Sequence, residues 1–312
     1  MVSLLNILEV CFEDGFVYAI LALGYYVSYS ILDFPDLSVE GTVLTGGVVF
    51  ALIARAGINP WLALVCAFIV GGLCGSVTGI LHVKLKIRPL LCGILVSTAL
   101  ISVNLVLTVL GMGGNLSGEG ALSTIPLSQK TTTLLKCFPV SLLPQNVGGI
   151  KVRKLVLFFA LAVVFKLILD FYFKSKSGLM LRATGNNEKY VTMMAENSGK
   201  YKIIGLAIGN AFAAVSGALI VQSRGNVNQS IGIGMIVIGL ASLIIGTSLF
   251  KNVKFLKPTT MVIIGSIIYQ ACLSLATSLG IPSAYNKLVM AFLFTIALVV
   301  SQKTKRGADS QC

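Results

Sequence analysis

Few residues in this sequence have the means to do chemistry, and most of those stand between or inside long apolar runs. Asp36 and Glu40 belong to the stretch DFPDLSVEG (33–41), which joins two such runs with no Lys or Arg nearby. Pro35 and Gly41 break any continuous helix there. A broken polar segment at membrane depth is tolerated only where it is buried in protein or lines water. Asp36 and Glu40 therefore border a translocation path, hold the broken helix that shapes it, or belong to an ordinary solvated turn. Asp36 also reads as an N-cap, with Glu40 in the first turn that follows, where the helix dipole favours negative charge. Lys166 and Asp170 are spaced i, i+4; an intramembrane charge is a functional candidate by default, yet this spacing also permits a neutralising structural pair. Asn104 is the one strongly polar residue of its run, either a helix–helix hydrogen bond or a pore-facing group. Tyr25 and Tyr29 share a helical face, to anchor the helix at an interface, pack it, or line a cavity.

Other chemistries lack their tools. The only histidine, His82, sits at a run's end before Lys84 and reads as interfacial. The seven cysteines form no CxxC and no His-paired spacing, so neither a metal site nor a disulfide framework is expected. There is no HExxH, no carboxylate pair beside a nucleophile, and no GxxxxGK[ST] phosphate loop. No catalytic residue, metal or cofactor is expected in this chain.

The elements that must position these residues are membrane spans. Of 312 residues, 56% are hydrophobic and 11% charged, with a mean hydropathy of +0.92. The apolar residues come in runs of roughly 20, the length that crosses a bilayer. The expected fold is an all-α polytopic membrane protein of one domain, 1–312, with about nine spans and broken helices. The spans fall near 15–32, 42–54, 61–83, 89–112, 154–173, 203–221, 231–250, 258–279 and 286–301. Residues 1–13 read as a separate interfacial helix and 113–151 as a Gly/Ser/Thr-rich outer loop. Gly71, Gly75 and Gly79, and again Gly205, Gly209, Ala213 and Gly217, form small-residue ridges for close helix packing. Gly232, Gly234, Gly239 and Gly246 permit a kink or break in the seventh span. The net charge of +13 comes from Lys and Arg at span ends, which orients the chain and meets lipid headgroups. Nucleic acid is not an expected partner.

The longest polar interval held closely between spans is 175–202, and it carries Lys176, Arg182, Lys189, Lys200 and Lys202. Short loops rich in Lys and Arg stay on the cytoplasmic side. The same rule puts 302–312 in the cytoplasm as a tail, 113–151 outside, and the N-terminus outside. Within the loop, Asn186 or Asn187 caps a short helix over Glu188 to Glu196, with Gly199 as a stop. Tyr190, Met193 and Met194 share its apolar side. Such a face is meant to be covered by a soluble partner, and no span is expected to pack on a loop outside the bilayer.

The stretch Gly178-Leu-Met-Leu-Arg-Ala-Thr-Gly-Asn-Asn-Glu, followed by a short helix and the restart Asn197-Ser-Gly-Lys-Tyr-Lys-Ile-Ile-Gly205, resembles the permease subunits of bacterial ABC importers of the branched-chain amino acid type. The likeness extends to the 36–41 segment and the Gly-rich seventh span, and is nearest to the subgroup associated with aromatic or other hydrophobic amino acids. The 36–41 segment departs from the family's usual pattern, which leaves the branched-chain substrate open. The resemblance implies an inner-membrane subunit of an ATP-driven importer. Arg182 to Glu196 would then be the coupling helix, with Arg182, Thr184, Gly185, Asn186, Glu188, Tyr190, Met193 and Met194 at the ATPase contact. It implies as partners a separate ABC ATPase that binds the ATP, an extracytoplasmic solute-binding protein, and a second permease subunit, identical or not. The runner-up is an ion-coupled secondary transporter, which would want a mid-membrane ionisable group and an internal repeat.

Overall fold

The structure, a computed structural model, describes residues 2–112, 124–127, 133–137, 152–251, 253, 255–280 and 285–309, with the backbone alone given for 2–6, 136, 286–287 and 300–309. The helices are α1 (Val2–Tyr25), α2 (Val39–Arg55), α3 (Pro60–Leu85), α4 (Pro89–Gly111), α5 (Val152–Tyr172), α6 (Lys176–Asn186), α7 (Glu188–Met193), α8 (Ser198–Arg224), α9 (Met235–Leu249), α10 (Pro258–Ser278) and α11 (Asn286–Asp309). Two short strands, β1 (Thr124–Pro126) and β2 (Asn226–Asn228), pair antiparallel. The all-α membrane architecture stands. Among the described residues, six segments are long and apolar enough to cross a bilayer: α3, α4, α5, α8, Gln229–Leu249 and α10. The remaining three expected spans correspond to α1, α2 and α11.

Local sequence explains most helix ends. Pro60, Pro89 and Pro258 occupy the first turns of α3, α4 and α10, where a missing N–H costs nothing. Asn59, Ser175, Asn187 and Asn197 each accept a backbone N–H at the start of α3, α6, α7 and α8. Two expected boundaries are corrected. No break separates residues 1–13 from the first span, because α1 runs unbroken from Val2 to Tyr25 and continues as a π-helical turn, Tyr26–Ile31. The helix of α11 likewise continues to Asp309, past the expected end of the ninth span. The expected outer loop 113–151 lies outside the described residues except for β1 and its neighbourhood.

The chain divides into two compact units. One comprises Met1–Tyr26, Leu142–Asp170 and Ile236–Cys312. There, α1 packs along α10, and Ser266 of α10 donates to the Gly15 carbonyl at 2.7 Å. Among its described residues, Lys154 pairs with Glu13 at 2.6 Å, and Lys166 with Asp170 at 3.3 Å. Asp170 also meets Lys257 at 3.3 Å and accepts from Thr259 Oγ1 at 2.6 Å, which ties α5 to the start of α10. Lys166 and Asp170 thus form the neutralising pair that the spacing permits.

The other unit comprises Val27–Ser141 and Phe171–Met235, built on α8. The glycine ridge of α3 lies against it: a Cβ on Gly75 would sit 2.2 Å from the Leu206 carbonyl oxygen, and one on Gly79 2.8 Å from the Ile203 Cα. Backbones this close gain dispersion contacts along their whole length, which is what drives helix association where lipid tails are as apolar as the side chains. The ridge of α8 faces the 32–47 segment instead, with Gly205 against Leu32 and Gly217 against the Val43 carbonyl.

Candidate functional site

The segment between the first helix and α2 is extended and climbs along α8. Leu32 meets Gly205, Asp36 meets Asn210, and Val43 meets Gly217, so the segment and α2 run parallel to α8. Asn210 lies near the middle of α8, whose 27 residues span about 40 Å at ~1.5 Å each. The broken polar segment is therefore buried half way along the helix, not a solvated turn at its end. Asp36 is only 2% exposed. Its Oδ1 accepts from Ser38 N at 2.8 Å and Ser38 Oγ at 2.6 Å, and its Oδ2 accepts from Asn210 Nδ2 at 2.7 Å. Asp36 is thus no N-cap in its own right. It pins the start of α2 to α8, which is the role of holding the broken helix.

Glu40, in the first turn of α2, is partly exposed and accepts Gly234 N–H on Oε1 at 2.9 Å. Gly234 has φ +90°, a conformation that favours glycine, and Gly232 packs against the Glu40 carbonyl with no room for a Cβ. These glycines make the expected break in the seventh span: a 3₁₀ turn, Gln229–Ile231, then a bend, then α9. Asn104 on α4 is fully buried and donates Nδ2 to the Gly41 carbonyl at 3.2 Å, so it is a helix–helix hydrogen bond. Its Oδ1 has no partner among the described residues. Tyr25 is buried where Gly239 closes on its ring, while Tyr29 is 38% exposed. A π turn begins at Tyr26 between the two, and only Tyr25 is sealed in.

The basic loop is more structured than its composition indicates. The expected helix over Glu188–Glu196 ends at Met193, and Arg182 to Asn186 belong to a second helix, α6. Asn187 is the cap of α7, accepting from Tyr190 N at 3.3 Å, while Asn186 closes α6. Gly199 stops nothing, since α8 begins at Ser198. Nor is the loop free of the spans. Leu181 is fully buried beside Gly205, Thr184 is buried with its hydroxyl bonded to the Met180 carbonyl, and Gly185 rests on the Ile31 carbonyl. Arg182 lays its guanidinium 4.5 Å from the Phe173 ring, bracing α6 on the end of α5.

From this platform α7 and its C-cap Met194 turn one apolar residue inward, Val191, and three outward. Tyr190 and Met194 are about half exposed and Met193 is 82% exposed. Glu188 latches α7 to α8 through Ser198 Oγ at 3.0 Å and Lys202 Nζ at 2.7 Å. The Lys202 hydrogen bond, aided by Ser198, holds the Glu188 carboxyl below its usual value against some desolvation. Glu196 is likewise lowered, by Tyr201 and then Lys176. A cavity of about 370 Å³ lies beside the latch, lined by His82, Lys86, Glu188, Ser198 and Lys202 among others. His82 is held by Ile87 and by the edge of Phe34.

A helical membrane unit with helices broken half way along their neighbours, and an anchored short helix offering an apolar face, has the parts that a transport subunit needs. The family model described as branched-chain amino acid transport system / permease component matches residues 7–298, and the chain belongs to that family. It is the permease subunit of an ABC importer for a small solute, a multi-pass protein of the inner membrane. The tyrosine transport system permease protein of Clostridioides difficile is 37% identical over 93% of this chain and 91% of its own. A probable branched-chain amino acid transport permease protein LivH of Methanocaldococcus jannaschii is 28% identical over 64% of this chain and 61% of its own. The ribose import permease protein RbsC of Haemophilus influenzae is 22% identical over 94% and 84%. No solved structure matches the chain.

Sequence reasoning missed Asn210 and Ser38, and it marked Gly234 as part of a break without its bond to Glu40. Asn210 stands one residue from Gly209 of the packing ridge. A buried amide amid small residues was the available signal.

Proposed function

We propose that this chain imports a hydrophobic or aromatic amino acid, with ATP hydrolysis supplied by a separate ATPase that docks on α6 and α7. The observation that carries the docking surface is the outward face of α7. Tyr190, Met193 and Met194 stand exposed on a helix whose opposite side is fastened by Val191, Glu188 and Asn187. Apolar anchors held on a rigid base suit a partner's groove, because binding then spends little entropy on ordering them. The lysines at the span ends support a cytoplasmic position for this face. The kinship with a tyrosine transport permease at 37% identity supports an amino acid as the solute. A solute-binding protein on the opposite side, and a second permease subunit, identical or not, complete the assembly. ATP binding would draw the two docking surfaces together and shift the spans between outward- and inward-open states.

The test is to change Met193 and Met194 together to Asp. Burying two new charges adds desolvation to the loss of two anchors, of which each typically contributes on the order of 1–4 kcal/mol. The ATPase should fail to co-purify and substrate-stimulated ATP hydrolysis should vanish. The membrane domain should melt as before, because both methionines point away from it. Normal co-purification and normal stimulation would remove the ATPase from this face.

A further inference from the structure

Glu40 stands where a carboxylate is hardest to keep. It lies between Asp36, which meets Asn210 near the middle of α8, and Val43, which meets Gly217. The next residue, Gly41, packs on Leu100 near the middle of α4. Two long helices thus place it independently at half their length. A carboxylate at that depth needs a cation or water. Among the described residues Glu40 meets no cation, and its single hydrogen bond is from Gly234 N–H to Oε1. That bond, with the α2 N-terminus, steadies the charge without neutralising it. Oε2 has no partner among the described residues, and the side chain is partly exposed.

The surroundings share one deficit. Asn104 Oδ1 is a buried acceptor with no donor among the described residues, and its assignment is secure because the other amide atom must donate to the Gly41 carbonyl. Gln229 Oε1, on the 3₁₀ turn, is a second buried acceptor with no donor. The turn touches both α2 and α4, so all three oxygens come from elements in mutual contact. This wall is rich in acceptors and short of donors. Asp36 differs: three donors satisfy it and it is sealed in.

We propose that Glu40 is the station on the translocation route that recognises the α-ammonium group of the passing amino acid, with the buried Asn104 and Gln229 oxygens adding to the negative potential around it. The inference rests on the amino acid reading above. A primary ammonium brings one positive charge and three N–H donors with no acceptor, the complement of a carboxylate with one oxygen free of donors. A sugar hydroxyl brings no charge and leaves Glu40 uncompensated. The site selects for the group that all amino acids share, which leaves side-chain choice to the solute-binding protein.

The experiment uses the complete complex in proteoliposomes, with L-tyrosine, L-leucine and ribose as probes. Glu40→Gln keeps an acceptor for Gly234 N–H and removes the charge alone. It should lower amino acid uptake at least tenfold at unchanged abundance and melting temperature, while Glu40→Asp retains a larger share. If the wild type carries tyrosine and Glu40→Gln carries it equally well, Glu40 is only a structural bond to Gly234 and the proposal falls while the amino acid reading stands. If the wild type carries ribose and neither amino acid, both fall. Uptake that requires sodium and is abolished by Glu40→Gln assigns the site to a metal cation, which also overturns it. Should the Gln variant fail to accumulate, the wild type decides. Modification of Glu40 by a hydrophobic carbodiimide, located by mass spectrometry, should slow several-fold when tyrosine is turning over and not with ribose; equal rates refute the proposal.

Discussion

Exchanging the partners of the Asp36–Asn210 bond tests whether it holds the broken helix. Asp36→Asn keeps Oδ1 as acceptor for both Ser38 donors. It gives up the charge-assisted bond at 2.7 Å from Asn210, about 1.5–3 kcal/mol. Asn210→Asp is worse. Two carboxylates then face each other in a site that Asp36 occupies at 2% exposure, one must protonate, and the loss is about 3–5 kcal/mol. The double exchange restores an amide donor opposite a carboxylate. It should recover about 3 kcal/mol of the summed single losses, a coupling at the upper end of what paired residues show. Thermal unfolding in detergent, followed with a thiol-reactive dye on the chain's own cysteines, measures the stability. Uptake in proteoliposomes measures whether the segment still works. If the double variant loses the sum of the two single losses, the residues are not partners and α2 is positioned by something else.

Two further outcomes follow from the same geometry. Gly75→Ala should abolish accumulation in the membrane while Gly72→Ala on the same helix is tolerated, since the new Cβ meets the Leu206 carbonyl oxygen at 2.2 Å in one case and nothing nearer than 3.8 Å in the other; equal abundance of the two variants on immunoblots would refute the close α3–α8 packing. The Glu188 carboxyl is lowered below 4.5 by Lys202 and Ser198, so its contribution is fully present above pH 4.5 and is lost as pH falls through the lower folded value. Hydrogen exchange of the α7 amides should be steady from pH 8 to about 6 after correction for the intrinsic rate, as expected for a carboxyl already ionised there, and faster in Glu188→Gln; unchanged exchange in that variant would mean that the latch does not hold α7.

Much of this protein was legible in its residues because the signals are local. Apolar runs near the length of a bilayer announce spans, Pro and Asn at run starts announce helix beginnings, and glycines four apart announce close packing, each within a turn or two of chain. The same holds for the Lys166–Asp170 pair, whose partners sit one turn apart on a single helix. The exposed face of α7 was legible for that reason too. What the residues could not settle depends on segments far apart in the chain. Asp36 finds Asn210 across 174 positions and Glu40 finds Gly234 across 194, so no spacing rule reveals that one carboxylate is sealed and the other is left with an open oxygen. Helix α6 carries no apolar run, and its seat on Ile31, Phe173 and the Gly205 region comes from tertiary contacts through Gly185, Gly178 and Leu181. The π turn at Tyr26–Ile31 is likewise invisible to a periodicity of 3.6. Local patterns determine which segments are helical and which faces are apolar; the long-range packing of backbones on α8 decides where the helices break, and therefore which charged groups are sealed and which remain open.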